Sequence, residues 1–225
     1  MSQSNHGWKI TSAYVSPFCA FVGIMALERG LGVPPGIAYP IRFFAVWALV
    51  ILFSRGLLRV RPAKPMASIA LGAVVFVIWV APDLLFDYRH TWLFSNSLTG
   101  TAVSSISVEL RRQSWFLFIR TFSCTVLVPI VEELFWRGWL MRWLIDRDFR
   151  KLPFGTFDSY AFWATAVLFA TEHGPYWEVG LVTGVIYNWW AIRTKNLADC
   201  IIMHATTNGI LCVYVVVSGR WEYLF

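Results

Sequence analysis

The stretch WFLFIRTFSCTVLVPIVEELFWRGWLMRW, residues 115–143, decides the fold, because it is long and apolar enough to cross a bilayer yet carries charged side chains in its interior. Glu132, Glu133 and Arg137 lie within it. An ionised side chain at mid-membrane costs about 2.5 to 3.5 kcal/mol on an insertion scale, so the three would cost on the order of 8 to 10 kcal/mol if unpaired. Ionisable residues placed at such a cost indicate a functional site inside the bilayer.

The composition of the whole chain is that of a membrane protein. It is 57% hydrophobic and 14% charged, whereas soluble domains have about 45 to 50% apolar and about 25% charged residues. The 13 Trp residues suit helix ends at headgroup depth. The net charge of +6 does not indicate nucleic-acid binding, because the basic residues are scattered between apolar runs. The four cysteines have no C-x-x-C spacing, so we interpret them as small apolar side chains.

Hydropathy predicts an all-α membrane bundle of about seven to eight transmembrane helices around an intramembrane polar cavity. We expect a single domain over residues 1–225, with the motif-bearing core at residues 113–218 and the first helix retained in the mature protein. The seven spans, each approaching the roughly 20 residues needed to cross a bilayer, are Ser12 to Leu27, Pro40 to Leu58, Met66 to Phe86, Gln113 to Leu140, Tyr160 to His173, Tyr176 to Ile192 and Leu197 to Ser218. Gly174-Pro175 predicts a broken pair between spans five and six. The segment Ser95 to Arg112 is a candidate interfacial helix.

The basic residues of the connecting segments orient the bundle. With the N-terminus in the cytoplasm, eleven Lys and Arg residues fall on the cytoplasmic side and six on the opposite side. This bias predicts a cytoplasmic N-terminus. We expect an integral protein of the plasma or inner membrane of a bacterium.

The two glutamates have different predicted roles. Residues four apart share a helix face, so Glu133 can pair with Arg137 and brace the helix. Glu132 is rotated by about 100° from its neighbour and is free to act as a base toward water. The alternative is that both glutamates neutralise arginines such as Arg137, Arg120 or Arg142 and lock the packing. Apolar residues can replace a purely structural pair at little cost, which favours the functional interpretation.

Two histidines and an asparagine complete the candidate site. His173 ends the fifth span, a position also typical of an interfacial histidine. His204 and Asn208 share a helix face beside small residues, so they are also candidates for interhelical hydrogen bonding. If spans four, five and seven face one cavity, Glu132 and His173 can polarise a water while His204 and Asn208 donate hydrogen bonds to an oxyanion. That set suffices for amide hydrolysis without a protein nucleophile.

The depth of these residues is consistent with one site. At 1.5 Å per residue, Glu132 lies roughly 13 Å, His204 roughly 10 Å and His173 roughly 20 Å from the predicted cytoplasmic helix ends. His173 therefore fits only with a tilted or broken helix. These depths predict a site that opens toward the cytoplasm.

Three motifs, in this order, carry a family resemblance: E-E-x-x-x-R, F-x-x-x-H and H-x-x-x-N. The residues that match them are Glu132, Glu133 and Arg137, then Phe169 and His173, then His204 and Asn208. Over Pro129 to Asn208 the chain resembles the CPBP family, the CAAX-protease and bacteriocin-processing group also called Abi proteins, which includes the type II CAAX prenyl endopeptidases. Its short, Trp-rich sequence is also similar to a bacterial CAAX-protease-related subgroup associated with exosortase systems.

The resemblance implies a glutamic intramembrane protease with about eight membrane helices around a cavity open to cytosol and lipid. It implies that Glu132 and His173 activate water and that His204 and Asn208 form the oxyanion hole. Glu133, Arg137 and Phe169 would support the site. Two histidines and a glutamate are also zinc ligand types, but there is no H-E-x-x-H helix and water activation needs no metal. We therefore predict no metal and no cofactor, with zinc as the alternative.

The partners that the sequence predicts are membrane lipid and a membrane-associated peptide or protein substrate, with or without an attached lipid. The chain is compact and has no long loops to hold the tail of a prenylated protein, so the prenyl substrate is less well supported than hydrolysis. Two other classes of function remain open. One is a non-enzymatic immunity, scaffold or sorting protein of the same fold, and the other is a proton-coupled transporter, because buried Glu and His also occur along ion pathways.

Overall fold

The computed structural model describes residues 2–104 and 106–224, with side chains from Gly7 onward. This described part is all-α and contains no strand, only an isolated bridge between Asn96 and Gly100. Its helices of four or more residues are α1 (Ser2–Gly30), α2 (Pro35–Ser54), α3 (Pro65–Phe86), α4 (Val108–Arg111), α5 (Ser114–Trp143), α6 (Ser159–Thr171), α7 (Trp177–Thr194) and α8 (Leu197–Ser218). Short 3₁₀ turns lie at Phe149–Lys151, Gly174–Tyr176 and Trp221–Leu224. The predicted fold class is confirmed.

Five of these helices are long and apolar enough to cross a membrane, namely α1, α2, α3, α5 and α8. The fifth predicted span is α6, which is apolar but has only 13 residues. The sixth is α7, which has 18 residues. The two form the expected broken pair, because a 3₁₀ turn with Gly174 at a φ of +50° joins them.

A helix was expected within Ser95 to Arg112, and among the described residues of this segment it is confined to Val108–Arg111. The Asn96 side chain instead accepts hydrogen bonds from the backbone N–H groups of Leu98, at 2.8 Å, and Thr99, at 3.1 Å. Such local bonds compete with helix formation and favour a turn. The segment is therefore a loop that folds over one end of the bundle.

Helices α3 and α8 cross closely at Gly72. A Cβ atom on Gly72 would lie 2.4 Å from the carbonyl oxygen of Met203, so only glycine fits. Thr207 Oγ1 donates a hydrogen bond to the Gly72 carbonyl at 2.9 Å. Small residues let membrane helices approach until backbone and hydroxyl groups meet. This contact sets the position of α8, which carries His204 and Asn208.

Hydrogen bonds and an ion pair from polar side chains hold the turn that follows His173 in place. The buried Arg89 guanidinium donates to the Pro175 carbonyl at 2.7 Å and pairs with Glu178 at 2.8 Å. Tyr88 donates to Glu178 at 2.7 Å, and burial together with this bond raises the pKa of Tyr88, so its hydroxyl stays protonated. The loop after α3 therefore fixes where α6 ends and α7 begins.

We expect Gly72→Ala to destabilise the protein. Alanine stabilises a helix by about 0.5 to 1 kcal/mol relative to glycine, but overpacking costs about 1 to 3 kcal/mol, and here the added carbon meets backbone. The control is Gly23→Ala in α1, where an added Cβ meets nothing within 4 Å. Thermal unfolding in detergent micelles should give a lower midpoint for Gly72→Ala and no decrease for Gly23→Ala. Equal midpoints would contradict the close crossing.

Candidate active site

Five of the predicted site residues line one cavity of about 960 Å³: Glu132, Phe169, His173, His204 and Asn208. Glu132 comes from α5, Phe169 and His173 from α6 and the turn after it, and the other two from α8. The remaining two predicted residues, Glu133 and Arg137, are fully buried behind the cavity wall. The structure thus brings together side chains from the three predicted spans, while their catalytic roles remain predictions.

The buried Glu133 carboxylate joins two of the predicted residues. Its Oε1 atom accepts from Arg137 Nη1 at 3.1 Å, which is the pair predicted from the i, i+4 spacing, and from His204 Nδ1 at 3.0 Å. Arg137 also donates through Nε to Asn188 Oδ1 of α7 at 2.9 Å. The guanidinium carbon lies 4.6 Å from the Phe169 ring centroid, and the centroid of the His173 ring lies 4.7 Å from the same ring. Arg137 therefore neutralises the charge of the buried Glu133 carboxylate.

Glu132 differs from its neighbour in having no such partner. The Oε2 atoms of both glutamates are buried without a partner among the described residues, but Glu133 Oε1 accepts two hydrogen bonds whereas the Glu132 carboxylate accepts none. It lines the cavity, whereas Glu133 does not. A buried polar atom without a partner is costly, and such atoms are most often explained by function or by an ordered water. The geometry thus leaves one carboxylate oxygen available to a water or substrate in the cavity.

The hydrogen-bond partners of the two histidines determine their tautomers. His173 Nδ1 lies 2.8 Å from the Phe169 carbonyl, which can only accept, so we infer that Nδ1 carries the proton. His204 Nδ1 likewise donates to Glu133. In the neutral form each imidazole then has an unprotonated Nε2. His173 is therefore suited to accept a proton, and His204 can donate from Nε2 only as an imidazolium.

Asn208 is already engaged in a bond between helices. Its amide nitrogen donates to the Cys124 carbonyl of α5 at 2.9 Å. This carbonyl lies in a π-helical turn, Ser123–Leu127, where the Val128 N–H bonds to Ser123. In the same π-helical pattern the Cys124 carbonyl would accept from the N–H group of residue 129, but residue 129 is a proline and has no N–H group. Asn208 thus satisfies a carbonyl that α5 leaves unpaired, and one amide hydrogen remains for a substrate.

Sequence reasoning missed two residues of the site. Glu172 lines the same cavity as Glu132 and accepts from Trp136 Nε1 at 3.2 Å. Asn188 is fully buried and also donates to the Phe162 carbonyl at 2.8 Å, so it connects Arg137 to α6. The signal for Glu172 was its position next to His173, a second acidic group near a histidine in an apolar segment. Nothing in the sequence marks Asn188 as more than a polar residue in α7.

The described side chains do not include a group of three or more His, Cys, Asp or Glu residues placed to hold a metal ion. His204 is oriented by Glu133 and His173 by a carbonyl, bonds that leave Nε2 of both imidazoles unprotonated. An imidazole held in this way can act either as a base or as a metal ligand, so the absence of a metal stays a prediction.

The end at which the cavity opens bears on two predictions from the sequence, a cytoplasmic N-terminus and a site that opens toward the cytoplasm. The outer lining of the cavity includes Gly32 after α1, the exposed Leu98 of the loop after α3, and Leu224 after α8. This end of the bundle is opposite the one from which α1 starts. A cytoplasmic N-terminus and a site that opens to the cytoplasm are therefore incompatible in this fold. The predicted depths of Glu132, His204 and His173 were counted from the helix ends on the side of the N-terminus. They are therefore distances from the closed end of the cavity and not from its mouth.

We expect Asn208→Ala to lower the free energy of unfolding by about 1 to 3 kcal/mol, because it leaves the buried Cys124 carbonyl without a donor. Gln113→Ala is the control, since Gln113 is exposed and its side chain makes no capping bond. Equilibrium unfolding in mixed micelles measures both. An unchanged free energy in Asn208→Ala would show that the interhelical bond contributes nothing to stability.

Comparison with known families gives a match over the segment that carries these residues. A family model described as type II CAAX prenyl endopeptidase Rce1-like matches residues 112–210, which include all seven predicted site residues. The comparison with curated proteins and that with solved structures gave no match. The narrower expectations of the Abi group and of the exosortase-associated subgroup are not confirmed. Through residues 112–210, this membrane protein is similar to the Rce1-like family of type II CAAX prenyl endopeptidases, as its motifs predicted.

Proposed function

We propose that this protein is an intramembrane endopeptidase that hydrolyses a peptide bond of a membrane-associated protein or peptide through a water activated by Glu132 and His173. The observation that carries the proposal is that the buried Glu132 carboxylate forms no hydrogen bond or ion pair with the described residues and lines a cavity shared with two histidines. Structural carboxylates are paired, as Glu133 is with Arg137. A carboxylate held without a partner beside a cavity is instead suited to bind and deprotonate water.

The chemistry follows from the positions of the acceptors. Glu132, with the free Nε2 of His173, accepts a proton from water as the oxygen attacks the carbonyl carbon of the scissile bond. The carbon–nitrogen bond then breaks as that proton passes to the leaving amine. No covalent enzyme intermediate is formed, and the sequence of steps needs neither a metal nor a cofactor.

Two groups on α8 support the negative oxygen of the tetrahedral intermediate. Asn208 offers its second amide hydrogen, since the first is bonded to Cys124. His204 offers Nε2–H when it is an imidazolium, with Glu133 accepting from Nδ1. Donors fixed before reaction are effective because the protein does not reorganise as charge develops. Glu133, Arg137 and Phe169 hold His204 and the cavity wall in place.

The substrate that fits this site is a peptide held at the membrane, with or without a lipid. A cavity of about 960 Å³ accommodates several residues of an extended chain. The charge bias of the connecting segments favours a cytoplasmic N-terminus, in the plasma or inner membrane of a bacterium. In that orientation the cavity opens on the non-cytoplasmic side.

Glu132→Gln should abolish cleavage, with a loss of about a hundred- to ten-thousand-fold in rate, because the amide cannot accept the proton from water. Its unfolding temperature should stay near that of the wild type, since the shape of the side chain is kept. Glu109→Gln is the control, because Glu109 is exposed in α4. Terminal proteomics of membranes from cells with each protein should reveal peptide termini that disappear only in Glu132→Gln. Termini that persist there would remove Glu132 as the base.

The orientation can be tested by cysteine labelling in a Cys19→Ser background, because the other three cysteines are buried. A membrane-impermeant maleimide should label Leu98→Cys, at the cavity mouth, in intact cells. It should label Arg59→Cys, in the exposed connection between α2 and α3, only after the cells are opened. The reverse pattern would place the mouth in the cytoplasm.

A further inference from the structure

Glu172 is a carboxyl group of the cavity that the proposed steps do not use. It follows directly after α6, where its backbone N–H bonds to the Phe169 carbonyl at 3.4 Å and that of His173 bonds to the Ala170 carbonyl at 3.1 Å. These bonds extend α6 by a tighter turn, which fixes the backbone of both residues. Both side chains line the cavity, together with Glu132 of α5. The end of α6 therefore presents a carboxyl group next to the imidazole of His173.

Trp136 holds the carboxyl group of Glu172 from behind. Its Nε1 atom donates to Glu172 Oε2 at 3.2 Å. The indole is buried, does not line the cavity, and packs with its ring centroid 5.6 Å from that of Phe18 and 4.9 Å from that of Phe135. Trp136 follows Glu132 by four residues, so the two share a face of α5. The bond therefore brings Glu172 to the helix face that carries Glu132, while Oε1 of Glu172 bonds to no described residue.

No cation of the described chain neutralises these two carboxyl groups. Neither Glu132 nor Glu172 forms an ion pair there. Arg137 is bonded to Glu133 and Asn188 and does not line the cavity. Two carboxyl groups that share a low-dielectric site without a cation cannot both stay ionised, so they hold a proton between them. The protonated group can then act as an acid and the other as a base.

Amide hydrolysis needs both kinds of group. An amine leaves only when its nitrogen receives a proton, so an acid is required there as well as a base at the water. His173 uses its Nδ1 proton in the bond to the Phe169 carbonyl, and His204 uses its own in the bond to Glu133. The Nε2–H of a protonated His204 is needed at the oxyanion. Glu172, beside His173, is therefore placed to present a further proton to the scissile nitrogen.

We propose that Glu172 is a second catalytic carboxyl group, which relays the proton from Glu132 to the leaving nitrogen of the scissile bond. This inference rests on the proposed hydrolytic function. Glu132 takes a proton from the attacking water. As the carbon–nitrogen bond breaks, its electron pair goes to nitrogen, which takes the proton of Glu172, and the proton held by Glu132 then passes to Glu172. Both carboxyl groups end as they began, and the products are a carboxylic acid and an amine.

Two chromogenic substrates separate this role from a structural one. Both carry the acyl half of a peptide whose terminus depends on Glu132 in cells, and they end in a p-nitroanilide or a p-nitrophenyl ester. Nitroaniline needs a proton to leave, whereas nitrophenolate does not. With the full chain in phosphatidylcholine nanodiscs, Glu172→Gln should slow anilide hydrolysis by about a hundredfold or more and ester hydrolysis by at most about threefold. The glutamine keeps an oxygen that can accept from Trp136.

Two further variants complete the test. Glu132→Gln should abolish both reactions, because both need an activated water. Glu109→Gln, which changes an exposed residue of α4, is the control and should change neither.

Equal losses with the two substrates in Glu172→Gln would assign Glu172 a structural role and overturn the relay, as would anilide hydrolysis at the wild-type rate. In both cases the loss of activity in Glu132→Gln would leave the hydrolytic function standing. A wild-type protein that hydrolyses neither substrate faster than Glu132→Gln would contradict the hydrolytic function itself, and the relay with it.

Discussion

One carboxylate oxygen, Glu133 Oε1, is the contact on which the rest of the site depends. It accepts from Arg137 on its own helix and from His204 on α8. Arg137 in turn holds Asn188 on α7, so three helices meet at one ion pair. A buried charge that loses its partner costs about 3 to 5 kcal/mol, which makes any separation of these helices unfavourable. The same bond fixes the His204 ring, so the stability of the bundle and the geometry of the cavity have a common origin.

The pairing of Glu133 explains how two adjacent glutamates have different environments. Successive helix residues are about 100° apart, so one side chain points into the packed layer while the other points into the cavity. Arg137 can reach only the first, because it lies four residues further on the same face. Glu132 is then left beside Glu172, a second carboxylate in the same cavity. An arrangement of this kind keeps positive charge away from the water-activating group without exposing it to lipid.

The sequence predicted the parts of this structure that depend on spacing along one helix. The Glu133–Arg137 pair and the shared face of His204 and Asn208 follow from a period of 3.6 residues, and the spans follow from hydropathy. Contacts between helices depend on rotation and packing, which hydropathy does not determine. The bond from His204 to Glu133, the role of Asn188 and the end at which the cavity opens were therefore beyond it. Pro129 and Gly72 are intermediate cases. Their chemistry is visible in the sequence, but the sequence does not show that Asn208 bonds to the Cys124 carbonyl or that α8 packs on Gly72 at Met203.

The charges of the cavity cannot compensate one another across its length. With an effective dielectric constant of about 20, two unit charges roughly 18 Å apart interact by only about 0.9 kcal/mol. Glu132 therefore does little to stabilise Arg120, which lines the same cavity 12 residues earlier in α5, and each of the two charges depends on groups close to it. The closed end is sealed by buried apolar residues of α5, α6 and α8, including Met141, Ala161 and Cys200. A transported ion would need polar groups across that layer. A cavity closed there, with the unpaired Glu132 carboxylate near its closed end, fits a ligand that enters and leaves by the same opening.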